Sequence, residues 1–452
     1  MNSMTLGEIA EAVNGNFAGN RDIKIDSITT DTRKITKGCL FIPLKGAKFD
    51  GHDFINQAFE KGAVCCLSHK KDIKGNVIYV KDTKKALGDI AKYYRGLFNI
   101  KVCGITGSVG KTTTKDMIFS VLSQRYKTIK TQGNFNNDIG LPLTVFNIEN
   151  NTEAAVIEMG MNNFGEISYL TKIARPDVAV ITNVGVSHIE NLGSREGILK
   201  AKCEIFEGLS KNGTIILNGD NDMLHTLKGK TQYKTIWFGI KNKDGIYAEN
   251  INSKGIEGVK CTICAYGRKF DVDINVPGDH MVLNALAAAA VGFEFGLNYR
   301  EIKAGIESFV PTGMRMEITK TKNNITVIND AYNANPVSMK AAIDVLCKAE
   351  GRKTAVLGDM FELGDFGPKL HFEVGEYAAE KGIDEIICIG SISKNIYDGA
   401  LSKNGHAVYF EDTESFYKNG FELLNRADTT VLVKASHSMQ FEKIAERIAE
   451  VN

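Results

Sequence analysis

An excess of charge of either sign is what this 452-residue chain most lacks. Its 55 basic side chains face 54 acidic ones, which argues against nucleic acid or a membrane surface as the main partner. Long apolar runs are missing too. None nears the eighteen or so residues of a membrane span, and residues 1–13 carry acidic groups with no long apolar centre, so a cytoplasmic protein without membrane insertion is expected. No internal repeat or low-complexity tract is visible. The nine cysteines suggest no disulfide framework. They are odd in number and mostly single within apolar stretches, as at Cys103, Cys347 and Cys388, which reads as reduced core residues. Cys261-x-x-Cys264 is the sole pair at that spacing. With no second pair or histidine partner nearby, it reads as a strand-borne coincidence rather than a zinc or redox site. The length predicts roughly three domains, at about 150 residues each.

What is present is a phosphate cradle. Residues 104–114 read Gly-Ile-Thr-Gly-Ser-Val-Gly-Lys-Thr-Thr-Thr, directly after the strand-like Ile100-Lys-Val-Cys103. Directly after them Met117, Ile118, Val121, Leu122 and Tyr126 recur at helical spacing. A phosphate site needs backbone that approaches oxygens without Cβ clashes, N–H groups converging at a helix N-terminus, one ammonium, and a hydroxyl for Mg²⁺. Gly104, Gly107 and Gly110 are expected to supply the approach, Lys111 the charge and Thr112 the hydroxyl, so the chain is expected to bind a nucleoside triphosphate. One feature departs from the common loop: Ile105 stands five residues before Gly110, where that loop has glycine.

Strand-like pieces at 23–28 and 39–44, the segment Gly46-Ala-Lys-Phe-Asp-Gly-His52-Asp-Phe and a helical stretch at 82–98 make a first domain of residues 1–98. From Ile100 onward, buried β-branched strands at 154–159, 178–184 and 214–218 alternate with helices. That alternation implies a parallel sheet covered on both faces, with ligands at the carboxyl ends of its strands. Residues 232–277 alternate in β fashion, an alanine-rich helix follows at 283–295, and Pro311-Thr-Gly313 closes a central domain of residues 99–312. Strands at 326–329, 355–357, 386–389 and 431–433, again separated by helices, give a C-terminal α/β domain of residues 313–452. Three polar groups punctuate strand ends or the helix that follows: Glu158 in Ile-Glu-Met-Gly, His188 in Thr-Asn-Val-Gly-Val-Ser-His, and Lys202 in Leu-Lys-Ala-Lys-Cys-Glu. A carboxylate so placed near a P-loop suits Mg²⁺. Singly, each has a bland reading, as a capping histidine or a solvated lysine; their value comes from company with the loop.

Three longer segments are more specific: Thr131-Gln-Gly-Asn-Phe-Asn-Asn137-Asp-Ile-Gly-Leu-Pro, Asn329-Asp-Ala-Tyr-Asn-Ala-Asn-Pro-Val-Ser338 and Ala355-Val-Leu-Gly-Asp-Met-Phe-Glu-Leu-Gly364. With them the whole chain resembles the Mur ligases, the ATP-dependent amide-forming enzymes of peptidoglycan precursor synthesis. The family's loop has the same glycine spacing as residues 104–114. The resemblance implies an α/β protein of three domains: a small α/β N-terminal domain for the UDP substrate, a central P-loop domain with a mainly parallel sheet for ATP, and a Rossmann-like C-terminal ligase domain. Asn-Ala-Asn-Pro resembles the branch whose substrates are UDP-N-acetylmuramoyl-tripeptide and D-alanyl-D-alanine, and a monomer is expected. That segment and Gly-Asp-Met-x-Glu-Leu-Gly argue against the diamino-acid-adding sister and a folate polyglutamate ligase. An NTP-driven switch would leave Glu158, His188 and Lys202 unexplained.

The resemblance also implies roles. Gly107, Ser108, Val109 and Gly110, with Lys111 and the Thr112-Thr113 pair, would hold the β/γ-phosphates and one Mg²⁺, and Glu158 and His188 a second Mg²⁺. Lys202 matches a lysine that becomes carbamylated, which turns an ammonium into a carboxylate-like metal ligand. Lys111, His188 and Lys202 are thus the expected catalytic groups. Asn284 matches a nucleotide-contacting asparagine, while Met281 stands where many relatives have another. Arg315 would neutralise phosphate and Asp330 take ribose hydroxyls. Asp31-Thr32-Arg33 resembles an element that holds the uridine nucleotide, and the loop from Asn134 to Asn137 is expected to bind the same substrate. His437, where arginine is common, is assigned no role.

Overall fold

The computed structural model describes residues 1–71 and 73–451. The chain divides into two compact units, Met1–Thr106 with Arg125–Val180 and Ala201–Ile215, and Gly107–Gln124 with Ile181–Lys200 and Ile216–Asn452.

In the first unit, Ile28–Thr29, Leu40–Phe41, Cys65–Ser68 and Val77–Tyr79 pair in that order as a four-stranded parallel sheet. Cys39, Phe41, Ile55, Ala58 and Cys66 bury against one another beside it. The strand expected over 23–28 is split. Lys24–Ile25 pairs antiparallel with Met4–Thr5, whereas Ile28–Thr29 joins the parallel sheet, so Asp26 and Ser27 carry the chain from one sheet to the other. The helix Thr83–Gly96 starts where the Asp82 carboxylate accepts from the N–H groups of Lys84 and Lys85. It buries Ala86, Leu87, Ile90, Ala91 and Tyr94, one face of a 3.6-residue repeat. The strands Lys101–Thr106 and Thr128–Lys130 flank Ala154–Glu158, all parallel, with Ile105 level with Glu158. Val102, Cys103, Ile105 and all of Ala154–Ile157 are fully buried, the near-continuous apolar pattern of strands covered on both faces.

In the second unit, Lys234–Gly239 runs parallel to Gly245–Ser253, and the antiparallel strands Val259–Ala265 and Arg268–Ile274 follow. Cys261 and Cys264 lie three apart on one strand, which points them to opposite faces. All nine cysteines are free thiols, and burial pushes the Cys261 thiol up to about 12. The alanine-rich helix runs from His280 to Glu294 with Ala285–Ala290 buried. The C-terminal sheet has the order Glu317–Lys320, Thr326–Asn329, Thr429–Lys434, Arg352–Gly358, Glu385–Ile389, Ala407–Phe410, and is parallel except for its first strand. Asn329 pairs level with Val433, so Asp330 and Lys434 leave neighbouring carboxyl ends side by side. Among the described residues no helix is long and apolar enough to cross a membrane.

Candidate active site

The phosphate loop follows the strand Lys101–Thr106 and runs into the helix Lys111–Leu122. Gly107 (φ +156°) can carry no side chain: a Cβ there would lie 1.9 Å from Thr182 Oγ1, a hydroxyl that donates to the Val109 carbonyl at 2.7 Å. Gly110 (φ +82°) precedes the helix in the left-handed conformation that glycine tolerates. Gly104 differs from the expectation. It sits within the strand, where a Cβ would meet Met159 Cε at 3.1 Å and Pro176 Cβ at 3.3 Å, so it serves packing rather than phosphate approach. The N–H groups of Ser108 and Val109 donate to Asn183 Oδ1 at 3.0 and 2.9 Å, and Ser108 Oγ accepts from the Gly185 N–H at 2.9 Å. Lys111 Nζ reaches back to the Gly107 carbonyl at 2.8 Å. Convergent N–H groups, an ammonium and a helix N-terminus thus lie within one short segment.

Arg315 and Asn284 join this loop from distant parts of the sequence. Arg315 Nη2 donates to Thr112 Oγ1 at 3.0 Å. Asn284, buried behind the loop, accepts from Thr114 Oγ1 at 2.9 Å, and its amide lies 3.4 Å from the Met281 sulfur. The thioether thus accepts from the Asn284 amide. Asp330 is held at a strand end: Lys434 Nζ donates to Asp330 Oδ2 at 2.5 Å and to the Asn333 carbonyl at 2.8 Å, and Met316 N–H donates to Asp330 Oδ1 at 3.1 Å. Lys434 is 2% exposed, so this carboxylate is what makes its burial tolerable.

His188 takes a left-handed conformation (φ +63°), and so does Glu362 (φ +63°), a region uncommon for residues other than glycine. Their side chains meet, Nδ1 to Oε2, at 3.1 Å. The hydrogen bond to His188, reinforced by the His188 and Lys111 charges, outweighs burial and holds the Glu362 carboxyl below the usual range.

The other expected residues lie in the first unit. Glu158 is 2% exposed; Asn136 Nδ2 donates to its Oε1 at 2.8 Å, and its own N–H donates to Thr131 Oγ1 at 3.0 Å. Lys202, on the helix Arg195–Cys203, is also 2% exposed, not the solvated lysine that a bland reading implies. Asp31 caps a short 3₁₀ turn and accepts from Arg33 Nε and Nη2 at 2.9 and 2.7 Å. Those side-chain bonds, with the Arg33 backbone N–H, hold the Asp31 carboxyl down at about 2. The Asn137 carboxamide oxygen accepts from the N–H groups of Ile139 and Gly140, which starts the helix Gly140–Val145; Asn134 is exposed.

Asn183 and Glu362 act here although sequence reasoning gave them no role, and Asn136, in the loop expected to bind the UDP substrate, meets Glu158. Each stood inside a quoted motif, beside Val184, Asn137 and Leu363, yet its partner lies far away in sequence. Among the described residues no three His, Cys, Asp or Glu side chains form a metal cage. Mg²⁺ bound with a nucleotide takes few protein ligands beside phosphates and water.

Comparison with known proteins gives the same reading. The Mur ligase family, catalytic domain, matches residues 24–95; the Mur ligase middle domain, 105–292; and the Mur ligase, glutamate ligase domain, 314–437. The UDP-N-acetylmuramoyl-tripeptide–D-alanyl-D-alanine ligase of Bacillus subtilis (strain 168) is 43% identical over 99% of this chain and 98% of its own length. The Escherichia coli (strain K12) protein of the same name is 37% identical over 100% and 99%. The crystal structure of MurF from Acinetobacter baumannii superposes with a TM-score of 0.93 at 30% identity, covering 100% of this chain and 99% of that one. MurF ligase from Thermotoga maritima in complex with ADP gives a TM-score of 0.84 at 28% identity over 94% and 97%. With successive domains matched from residue 24 to residue 437 and full-length relatives this similar, the chain belongs to the Mur ligase family.

Proposed function

We propose that this protein is an ATP-dependent ligase that joins D-alanyl-D-alanine to UDP-N-acetylmuramoyl-tripeptide, giving the pentapeptide, ADP and phosphate in peptidoglycan precursor synthesis. Full-length likeness to ligases of that name carries the reading. The phosphate loop with Arg315 on its Thr112 hydroxyl supports it from the chemistry. We assign residues 1–98 to the UDP substrate, 99–312 to ATP and 313–452 to ligation, in a monomeric cytoplasmic enzyme.

The terminal carboxylate of the tripeptide attacks the γ-phosphate, forming an acyl phosphate and releasing ADP; the amine of D-alanyl-D-alanine then displaces phosphate. Two anions meet in the first step. Lys111, Arg315 and the loop N–H groups oppose that repulsion and favour the charge that spreads over the equatorial oxygens in the transition state. Thr112, Glu158, His188 and a carbamylated Lys202 are the residues assigned to Mg²⁺, which when bound adds charge neutralisation at the phosphates. Asp31, Thr32, Arg33, Asn134 and Asn137 are assigned to the nucleotide-sugar peptide, Asn284 to the nucleotide of ATP and Asp330 to its ribose hydroxyls.

The test is substrate dependence. Phosphate release from ATP is expected when both the UDP-muramoyl tripeptide and D-alanyl-D-alanine are present, with a product heavier by the dipeptide. Equal turnover without either substrate would overturn the assignment.

A further inference from the structure

Arg315 stands on the loop that leads into the strand Glu317–Lys320. Met314 (φ +62°) and Met316 (φ +49°) on either side of it are both left-handed, so the chain turns sharply to present the side chain. Its guanidinium is also unusually placed. Nη2 reaches Thr112 Oγ1, but Nε is buried with no hydrogen-bond partner. Arg95 in the first unit shows the contrast: its Nε, Nη1 and Nη2 donate to the carbonyls of Ala174, Phe98 and Ile100, so its plane is fixed from the edges. One edge bond leaves a guanidinium free to pivot about it.

A face contact fixes the plane of Arg315 instead. Its Cζ lies 3.8 Å from the centroid of the Tyr332 ring, well inside cation–π range. The ring also stacks on His437, centroids 5.3 Å apart and planes within 28°. Backbone ties the same pieces together: Tyr332 N–H donates to the Met314 carbonyl at 3.1 Å, and Met316 N–H to Asp330 Oδ1 at 3.1 Å. Tyr332 and Asp330 thus hold the arginine loop from both sides, and Lys434 anchors Asp330 in turn.

We propose that Tyr332 is a positioning residue for the ligation reaction, whose ring face sets the guanidinium plane of Arg315 at the Thr112 hydroxyl while His437 supports the ring. This rests on the reading of Arg315 as the arginine that meets phosphate charge. Tyr332 acts through its π-face, so its hydroxyl is dispensable.

The test is a double-mutant cycle at saturating substrates, with thermal unfolding measured on every variant. Tyr332→Ala and Tyr332→Leu, the second keeping apolar bulk, should each lower kcat about 3- to 30-fold, the span that a cation–π contact represents, with the KM for the UDP substrate unchanged. Tyr332→Phe should restore kcat to within about twofold of wild type. In an Arg315→Ala background, Tyr332→Leu should cost nothing further, because the plate has no cation left to orient. Fully additive losses would mean that Tyr332 acts on the nucleotide by itself, and would overturn the proposal. So would a Phe variant as poor as Leu, or a Leu variant with normal kcat beside a defective Arg315→Ala. A normal kcat in Arg315→Ala would instead overturn the reading of Arg315 and this inference with it.

Discussion

Lys111→Ala separates chemistry from folding at a single side chain. The lysine is the first residue of the helix Lys111–Leu122, and its ammonium bonds the Gly107 carbonyl at 2.8 Å. That contact folds the charge over the mouth of the loop, where the phosphates belong. An ammonium about 4 Å from a phosphate charge, at an effective dielectric near 20, contributes about 4 kcal/mol. Where that attraction grows as charge develops on the transferring group, its loss slows ligation about 10³-fold. Stability should hardly change. Alanine is the better helix former, and a cation at the positive end of a helix is unfavourable, so both effects offset the lost hydrogen bond of about 1 kcal/mol. The assay is phosphate release with both acceptor and donor substrates, beside circular dichroism and thermal unfolding of the same preparation. Turnover within about tenfold of wild type would refute the loop assignment; a folding transition lost together with activity would refute the claim that the side chain serves phosphate rather than the fold.

Lys202→Ala should be nearly inactive and partly rescued by added formate or acetate, small anions that replace a carbamate; mass spectrometry of active, ATP-bound wild type showing unmodified Lys202 would exclude the carbamate. Arg33→Ala should weaken the apparent affinity for the UDP substrate about tenfold while ATP affinity changes little. An equal loss for ATP would place Arg33 elsewhere, and because its pair with Asp31 is exposed, unfolding of this variant should match wild type. Acid sensitivity has a specific source in His371, fully buried, with Nδ1–H donating to the Gly367 carbonyl at 2.7 Å and Nε2 accepting from the Met360 N–H at 2.8 Å. The Nε2 contact requires the neutral ring, since a protonated Nε2 can no longer accept, and burial lowers the pKa, so the unfolded chain takes up a proton near pH 6.5 that the folded chain refuses. Stability to urea should therefore fall as pH drops below about 6.5, and less so in His371→Gln; parallel pH profiles for the two proteins would exclude the histidine as the cause.

The sequence by itself determined the phosphate loop, because its requirements are local: glycines at Gly107 and Gly110, a lysine and a hydroxyl at a helix start, each within four residues of the next. It also determined most strands, such as Thr214–Asn218 and Thr326–Asn329, since buried parallel strands advertise themselves as short β-branched runs. The break of 23–28 into two strands was not legible, because which sheet each half joins depends on partners at Met4 and Leu40. The same limit governs the site. Asn183 closing on Ser108, Arg315 reaching Thr112 and His188 meeting Glu362 join residues 75, 203 and 174 apart, and no local pattern encodes such pairs. Burial of Lys202 was equally hidden, for a lysine on an amphipathic helix reads as solvated until the packing around it is known. Local backbone preference fixed what each segment could do; the tertiary fold decided which segments face each other, and so which polar groups act together.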